Sequence, residues 1–285
     1  MDIPGLEAFV RLHFDPLQYA AFFGALLVLG AIEVFAAGNG TASRRRWPAN
    51  AGLTVLNILV LGALPVGVVA AADFAATRGW GLLNQDLVPP LAALALGILL
   101  RSLIGYFIHV AMHKVPLLWR VHRVHHTDTA MDVSTTVRFH PLEFVISLPI
   151  VLAATVALGL PPLALLLYEL VDAAMAAFTH ANLRLPARLE RALQWVLVTP
   201  VMHRIHHSAL QPETDSNYGA MFSWWDRLFG TYRTRPPETL AQMQLGLDDG
   251  SAARANGLGW LLVSPFLRQA APLASQPMPA AGGRA

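Results

Sequence analysis

The chain has 285 residues, of which 55% are hydrophobic and only 13% charged, well short of the quarter-charged make-up of an ordinary soluble domain. A formal net charge of +2 excludes the strongly basic surface of a nucleic-acid binder, so nucleic acid is not an expected partner. With no cysteine the chain can form no disulfide, thiolate metal site or cysteine-ligated iron–sulfur cluster, so any metal must be held by nitrogen or oxygen.

The N-terminus has Glu7 and Asp15 where a secretory signal would carry basic residues, so no cleaved signal peptide is expected and the first apolar run is expected to stay. Residues 17–36 and 51–72 are apolar runs of roughly the ~20 residues needed to cross a bilayer. A third run follows Pro89-Pro90, from Leu91 to Met112. The stretch from Glu143 to His180 is too long for one span, and Gly159-Leu160-Pro161-Pro162 breaks it into a hairpin with arms of 16 and 18 residues. The fold class is therefore an all-α membrane protein with about three full transmembrane helices, a membrane hairpin and a cytoplasmic, helical, histidine-rich metal domain. Residues 1–97 are the N-terminal membrane region, 98–233 the catalytic region and 234–285 a C-terminal segment. In that last segment Gly257–Leu267 reads as an interfacial helix, and the Ala-, Pro- and Gly-rich end from Gln269 lacks the pattern to fold.

Arginine placement orients the spans, because short cytoplasmic loops carry excess Lys and Arg. Arg44, Arg45 and Arg46 put the first loop inside, and Asp73–Leu87, with Arg78 its one basic residue, falls outside. Lys114, Arg120, Arg123 and Arg138 follow the third span, and Arg184, Arg188, Arg191 and Arg204 follow the hairpin, all on the inner side. The expected location is the cell membrane, as a multi-pass protein with its metal site on the cytoplasmic side. Arg101 lies eight residues before His109 and Asp172 eight before His180, so both lie about 12 Å deeper than those histidines. An unpaired charge there is costly, and Arg101 is expected to pair with Asp172 or with Glu169.

Eleven histidines occur, eight of them within 109–126 and 203–207. His109 and His113 are an i, i+4 pair on one helical face. His122-Arg-Val-His125-His126 adds i, i+3, i+4 spacing on a new helix after Pro116, and His203-Arg-Ile-His206-His207 repeats it. The adjacent pairs can point to two different metals and bridge them. A lone i, i+4 pair is more often a surface or capping feature than a metal site. Three linked clusters of neutral imidazoles near a membrane need a cation for their lone pairs. His13, before the first span, has no assigned role. Imidazole suits zinc, copper, iron and nickel alike and does not name the metal.

The order HX3H, HXXHH, HXXHH on a multi-span chain resembles the fatty acid hydroxylase and sterol desaturase superfamily of integral-membrane di-iron enzymes, in a bacterial-type member. The resemblance rests on Trp119-Arg-Val-His122-Arg-Val-His125-His126-Thr-Asp128, Arg138-Phe-His140-Pro141-Leu-Glu143 and Thr199-Pro-Val-Met-His203-Arg-Ile-His206-His207-Ser208. Asp215-Ser-Asn217-Tyr218-Gly219 and Trp225-Asp226-Arg227-Leu-Phe-Gly230-Thr231 extend it over about residues 98–233. It implies that His109, His113, His122, His125, His126, His203, His206 and His207 are iron ligands, with His180 of Thr179-His180-Ala-Asn182 a ninth. Some members have a further HX3H pair there, but Ala176 and Arg184 occupy the four-residue spacings in this chain. His140 is the candidate tenth ligand, with a helix-start role as its alternative, and Asn182 can act through a water.

The resemblance further implies two non-haem irons, dioxygen as co-substrate and oxidation of an unactivated C–H bond in a lipid-like substrate held beside the bilayer. The superfamily hosts hydroxylation and desaturation of sterol, fatty acyl, carotenoid and ether-lipid substrates. Asp128, Asp132, Glu143 and Asp226 are candidates for orienting imidazole N–H groups. No haem domain, dinucleotide glycine motif or cysteine cluster is recognisable, so a separate electron-donor protein is expected. Two other classes compete. A membrane metal transporter or metal-binding protein with histidine-rich cytoplasmic loops would be expected to place histidines along a path within the spans. A zinc hydrolase would be expected to show HEXXH, which is absent.

Overall fold

The computed structural model describes residues 2–35 and 44–268. Among these, five helices are long and apolar enough to cross a membrane. Each is built from a long, predominantly apolar run, and all but the first start with a proline in the first two positions, where no N–H is missed. A short helix α1 (Ile3–Leu12) precedes α2 (Phe14–Phe35). Then come α3 (Trp47–Ala63), α4 (Val68–Arg78), α5 (Pro90–Lys114), α6 (Pro116–His126), α7 (Pro141–Leu158), α8 (Pro162–His180), α9 (Ala187–Leu193) and α10 (Pro200–His206). The all-α expectation holds.

Two expectations need correction. The second apolar run is not one helix over 51–72, because it breaks at Leu64–Gly67, where Pro65 cannot donate a backbone bond, and resumes as α4. Asp73, placed by sequence in a loop, is therefore helical, and it ion-pairs with Arg11 of α1 at 2.6 Å. The hairpin arms are also longer than their apolar runs, at 18 and 19 residues, and Gly159 closes the first arm in the left-handed conformation (φ 66°) that favours glycine.

Helix α8 is the axis of the fold and touches α1, α2, α4, α5 and α10. Its approach to α5 is close enough that a Cβ on Gly97 would lie 2.7 Å from the Cβ of Ala164. Arg101 of α5 pairs with Glu169 of α8 at 2.9 Å, the second of its two expected partners, and stacks on Tyr168, 4.6 Å from the ring centre. The Tyr168 hydroxyl donates to Asp172.

At one end of the bundle, α6, the 3-10 turn Val133–Val137 and α10 gather around the ends of α5 and α8. Buried charges tie this assembly to the membrane helices. Arg46, at the start of α3, contacts Asp128 at 2.8 Å and Asp132 at 2.6 Å, all three side chains being buried. Glu33 near the end of α2 accepts the backbone N–H of Val133 and of Asn182. The helix Leu258–Val263, expected on the membrane surface, buries Leu261 against Ala49, Leu53 and Val124 and leaves Val263, Phe266 and Leu267 exposed. The segment from Gln269 onward lies outside the described residues.

Arg138 is fully buried and donates to the carbonyls of Val124 and Ala255, to Asn50 Oδ1 and to Thr127 Oγ1. Burial brings its pKa down to about 10, so it remains charged. Removing one member of such a buried charged network typically costs about 3 kcal/mol or more. Arg138→Met is therefore expected to lower the thermal unfolding midpoint of the protein in bilayer discs by about 6 °C or more; an unchanged midpoint would show that these bonds contribute nothing net.

Candidate metal centre

Each histidine cluster owes its direction to a helix end. The pair on α5 occupies its last two turns, the second cluster ends α6, His180 ends α8 and the third cluster straddles the end of α10. Prolines at 116, 141, 162 and 200 start the helices that deliver or brace them, and Thr199 caps α10 by accepting from the Met202 N–H. All nine side chains except the half-buried His109 are buried.

The rings sort into two abutting groups. His109, His113, His122, His126 and His206 form one, and His125, His180, His203 and His207 the other; within each, one nitrogen per ring lies within 4.8 Å of all the rest. The i, i+4 members of each HXXHH run stay together while the i+3 residue crosses over. Thus His122 and His126 join the first group and His125 the second, whereas His203 and His207 join the second and His206 the first. The adjacent pairs bridge the groups, with ring centres 5.4 Å apart for His125 and His126 and 5.5 Å for His206 and His207.

Hydrogen-bond partners define where protons sit. His109 Nδ1 donates to the Tyr218 carbonyl at 2.7 Å, His206 Nδ1 to Ser216 at 2.7 Å and His180 Nδ1 to Ala176 at 2.7 Å. His122 Nδ1 faces Glu143 Oε1 at 2.9 Å. A carbonyl oxygen can only accept, so in these neutral rings Nε2 carries a lone pair. His109 Nε2 and His122 Nε2 lie 3.1 Å apart, a contact that a shared proton or a metal ion bound by both would satisfy. Two nitrogens bound at about 2.1 Å and roughly at right angles would sit about 3 Å apart. Both ring nitrogens of His113, His126 and His207, with Nε2 of His206, are buried without a hydrogen-bond partner, at a cost a metal would remove. The donor set fits two metal ions.

Of the acidic candidates, Glu143 alone contacts a cluster imidazole at hydrogen-bond distance. Asp128 and Asp132 instead serve Arg46, Thr135, Trp47 and Ser134. Asp226 acts one step removed: it accepts the N–H groups of Tyr218 and Gly219 at 2.7 and 2.9 Å and so holds the peptide whose carbonyl receives His109. Asn217, with φ 50°, ties this strip to Met202 and Arg233. Asp215 comes within 3.4 Å of His113 Nδ1 and 2.9 Å of Lys114 Nζ. The backbone carbonyls of Ala176, Ser216 and Tyr218 escaped sequence reasoning, since no residue type marks a carbonyl.

His140 is not brought to either group. Its Nδ1 accepts the Leu142 N–H, capping α7, and its Nε2 donates to the Leu262 carbonyl. Both nitrogens are used, which removes it from the ligand candidates. His13 ends α1 and faces its own Phe9 carbonyl. Asn182 is buried beside His180, and its N–H is held by Glu33.

A cavity of about 300 Å³ opens from His109, His122, His125, His180 and His203 toward the spans. Phe139, which stacks on His125 at 4.4 Å, forms part of its wall with Phe144 and Val151, and Arg101, Tyr168 and Asp172 close its deep end.

Residues 94–231 match the family model for fatty acid hydroxylase. That stretch is similar to a fatty acid hydroxylase domain. It contains all nine clustered histidines. The ornithine lipid hydroxylase OlsE of Rhizobium tropici is 30% identical over 184 residues, which are 65% of this chain and 53% of that protein. The alkylglycerol monooxygenase of Homo sapiens is 27% identical over 45% of this chain and 27% of its own length. The cholesterol 25-hydroxylase-like protein of Danio rerio is 32% identical over 44% and 50%. The chain thus spans about half or less of these relatives. No solved structure matches it significantly.

Two outcomes are expected of the histidine clusters. Burial, reinforced by charge on neighbouring rings, holds the pKa values of His125, His126, His203, His206 and His207 well below the ordinary histidine value. The unfolded chain binds those protons below about pH 6.5 and the folded chain does not. The stability of metal-free protein should therefore be complete above that pH and fall as pH drops below it; a melting midpoint that does not change between neutral and acidic buffer would contradict this. Separately, Glu143→Ala removes the acceptor that orients His122, and metal affinity measured by chelator competition should fall about 10-fold or more.

Proposed function

We propose that the protein is a membrane-bound oxidoreductase that hydroxylates or desaturates a lipid, using two non-haem iron ions held by His109, His113, His122, His126 and His206 and by His125, His180, His203 and His207. The observation that carries this reading is the joining of two buried imidazole groups to one cavity that runs into the membrane helices. The names of the relatives point to amphiphilic substrates, among them ornithine lipids, alkylglycerols and sterols. Iron bound there would supply dioxygen activation for oxidising an unactivated C–H bond. Electrons would come from a separate donor protein, and the metal core would face the cytoplasm from the cell membrane. The catalytic unit would be residues 98–233, with 1–97 and 234–285 as flanking membrane and C-terminal segments.

The chain's own part is positioning. Glu143 and the carbonyls of Ala176, Ser216 and Tyr218 hold Nδ1 protons and so aim Nε2 lone pairs inward. Phe139, Phe144 and Val151 exclude water and hold an apolar chain against His125. A transporter reading is not favoured, because the rings close two compact groups instead of lining a path.

Purified protein should contain about two irons per chain, and a deletion strain should lack a lipid differing from its precursor by about 16 mass units for hydroxylation or about 2 for desaturation. His125→Ala and His203→Ala should each abolish that conversion while His13→Ala retains it. Full conversion by either cluster variant would sink the ligand assignment, and a polar, water-soluble product would sink the lipid one.

A further inference from the structure

A second cavity of about 330 Å³ lies on the segments that follow α8, and it shares no lining residue with the cavity at the histidines. Five arginines line it, namely Arg184, Arg191, Arg204, Arg233 and Arg235, against one carboxylate, Glu190. Arg235 is matched by Glu213 at 2.5 Å. Glu190, whose Oε1 accepts from Thr199 and Gln194, can offset at most one of the others. Among the described residues Arg191, Arg204 and Arg233 make no ion pair, and the Arg204 Nε is buried without a hydrogen-bond partner. A concave site with this surplus of guanidinium charge calls for an anion, and planar guanidinium forks match phosphate oxygens two at a time.

The remaining walls argue for the source of that anion. Leu183, Leu185, Ile205 and Leu240 contribute apolar surface beside the arginines, so the pocket suits a charged group attached to carbon and not a bare ion. It begins at the end of α8, a helix apolar enough to cross the bilayer, and the neighbouring Leu189, Trp195 and Val196 are exposed, as residues are that rest in a membrane interface. A hollow also fits one headgroup better than the broad face of an acidic protein. We infer that this pocket binds the phosphate of an anionic phospholipid headgroup at the membrane surface. Arg204 lies between His203 and His206 on α10, so the bound headgroup braces the helix that bears the third histidine cluster.

The test uses the full chain in discs of phosphatidylcholine alone or doped with phosphatidylglycerol, with lipid retention read by native mass spectrometry. Wild type should keep phosphatidylglycerol in preference to phosphatidylcholine. Arg191→Gln and Arg233→Gln should each weaken that retention about 5-fold, from the ~1 kcal/mol that one surface arginine contributes toward an anionic lipid. Both side chains are exposed and neither makes an ion pair, so the variants should fold. Arg188, exposed on α9 but outside the pocket lining, is the control: R188Q should leave retention unchanged. The inference is overturned if R188Q weakens retention equally, which would mean a diffuse basic face. It is overturned if inorganic phosphate displaces the lipid as effectively as phosphatidylglycerol does, which would mean a small-anion site. It also fails if no anionic lipid is retained, which would leave an acidic protein as the partner. The readout is independent of metal loading and turnover, so it stands or falls apart from the proposed oxidation.

Discussion

Imidazole nitrogens packed away from water, with their protons already committed elsewhere, cannot face one another at 3 Å without a positive charge between them, and the fold is organised around this constraint. His109 and His122 meet through Nε2 at 3.1 Å while their Nδ1 atoms are engaged by Tyr218 and Glu143. Holding that arrangement requires helix ends arriving from several directions, and α5, α6, α8 and α10 all terminate there. It also requires those ends to be fixed from outside. Asp226 grips the Tyr218–Gly219 peptide, Arg138 joins α6 to α3 and to Ala255, and Arg46 locks Asp128 and Asp132. These charges are buried, which is tolerable only because each has several partners.

The two groups are not equivalent. The crossing of the i+3 histidines would give a symmetric pair of sites if α8 carried two histidines as α5 does, but the position four residues before His180 is Ala176. That residue lines the cavity, and its carbonyl orients His180. The group that is one ring short contributes three of its four histidines to the cavity wall, whereas the fuller group contributes two of five. A substrate in the cavity would therefore meet the four-histidine group over more of its surface, with Phe139 stacked on His125 as the apolar contact beside it.

The membrane helices carry their own polar logic. Arg101 and Glu169 neutralise each other where the alternative is an isolated charge in a low-dielectric region. Glu33 reaches the histidine-bearing end of the bundle and accepts two backbone N–H groups, from Val133 and Asn182. Through these contacts α2, which presents no buried side chain of its own, is tied to the loop after His180.

Much of this was written in residue order. Helical period alone puts His109 above His113 and gives each HXXHH run one shared face, so a metal-binding cluster could be read from spacing. Equal distances along two helices put Arg101 at the depth of Asp172, one turn from Glu169, the residue with which it pairs. The break in the second apolar run was missed, although Pro65, with no N–H to donate, marks it. Tertiary structure decided what spacing cannot carry. Which metal group receives each histidine of an adjacent pair depends on how α6 and α10 cross, and His140 became a helix cap because Leu262, over a hundred residues later, lies against its ring. Asp128 and Asp132 turned from the histidines to Arg46 because a buried guanidinium needs carboxylates more than a neutral imidazole does. The acceptors that orient His109, His180 and His206 are peptide carbonyls, which every residue possesses, so only the folded chain could show which of them are used.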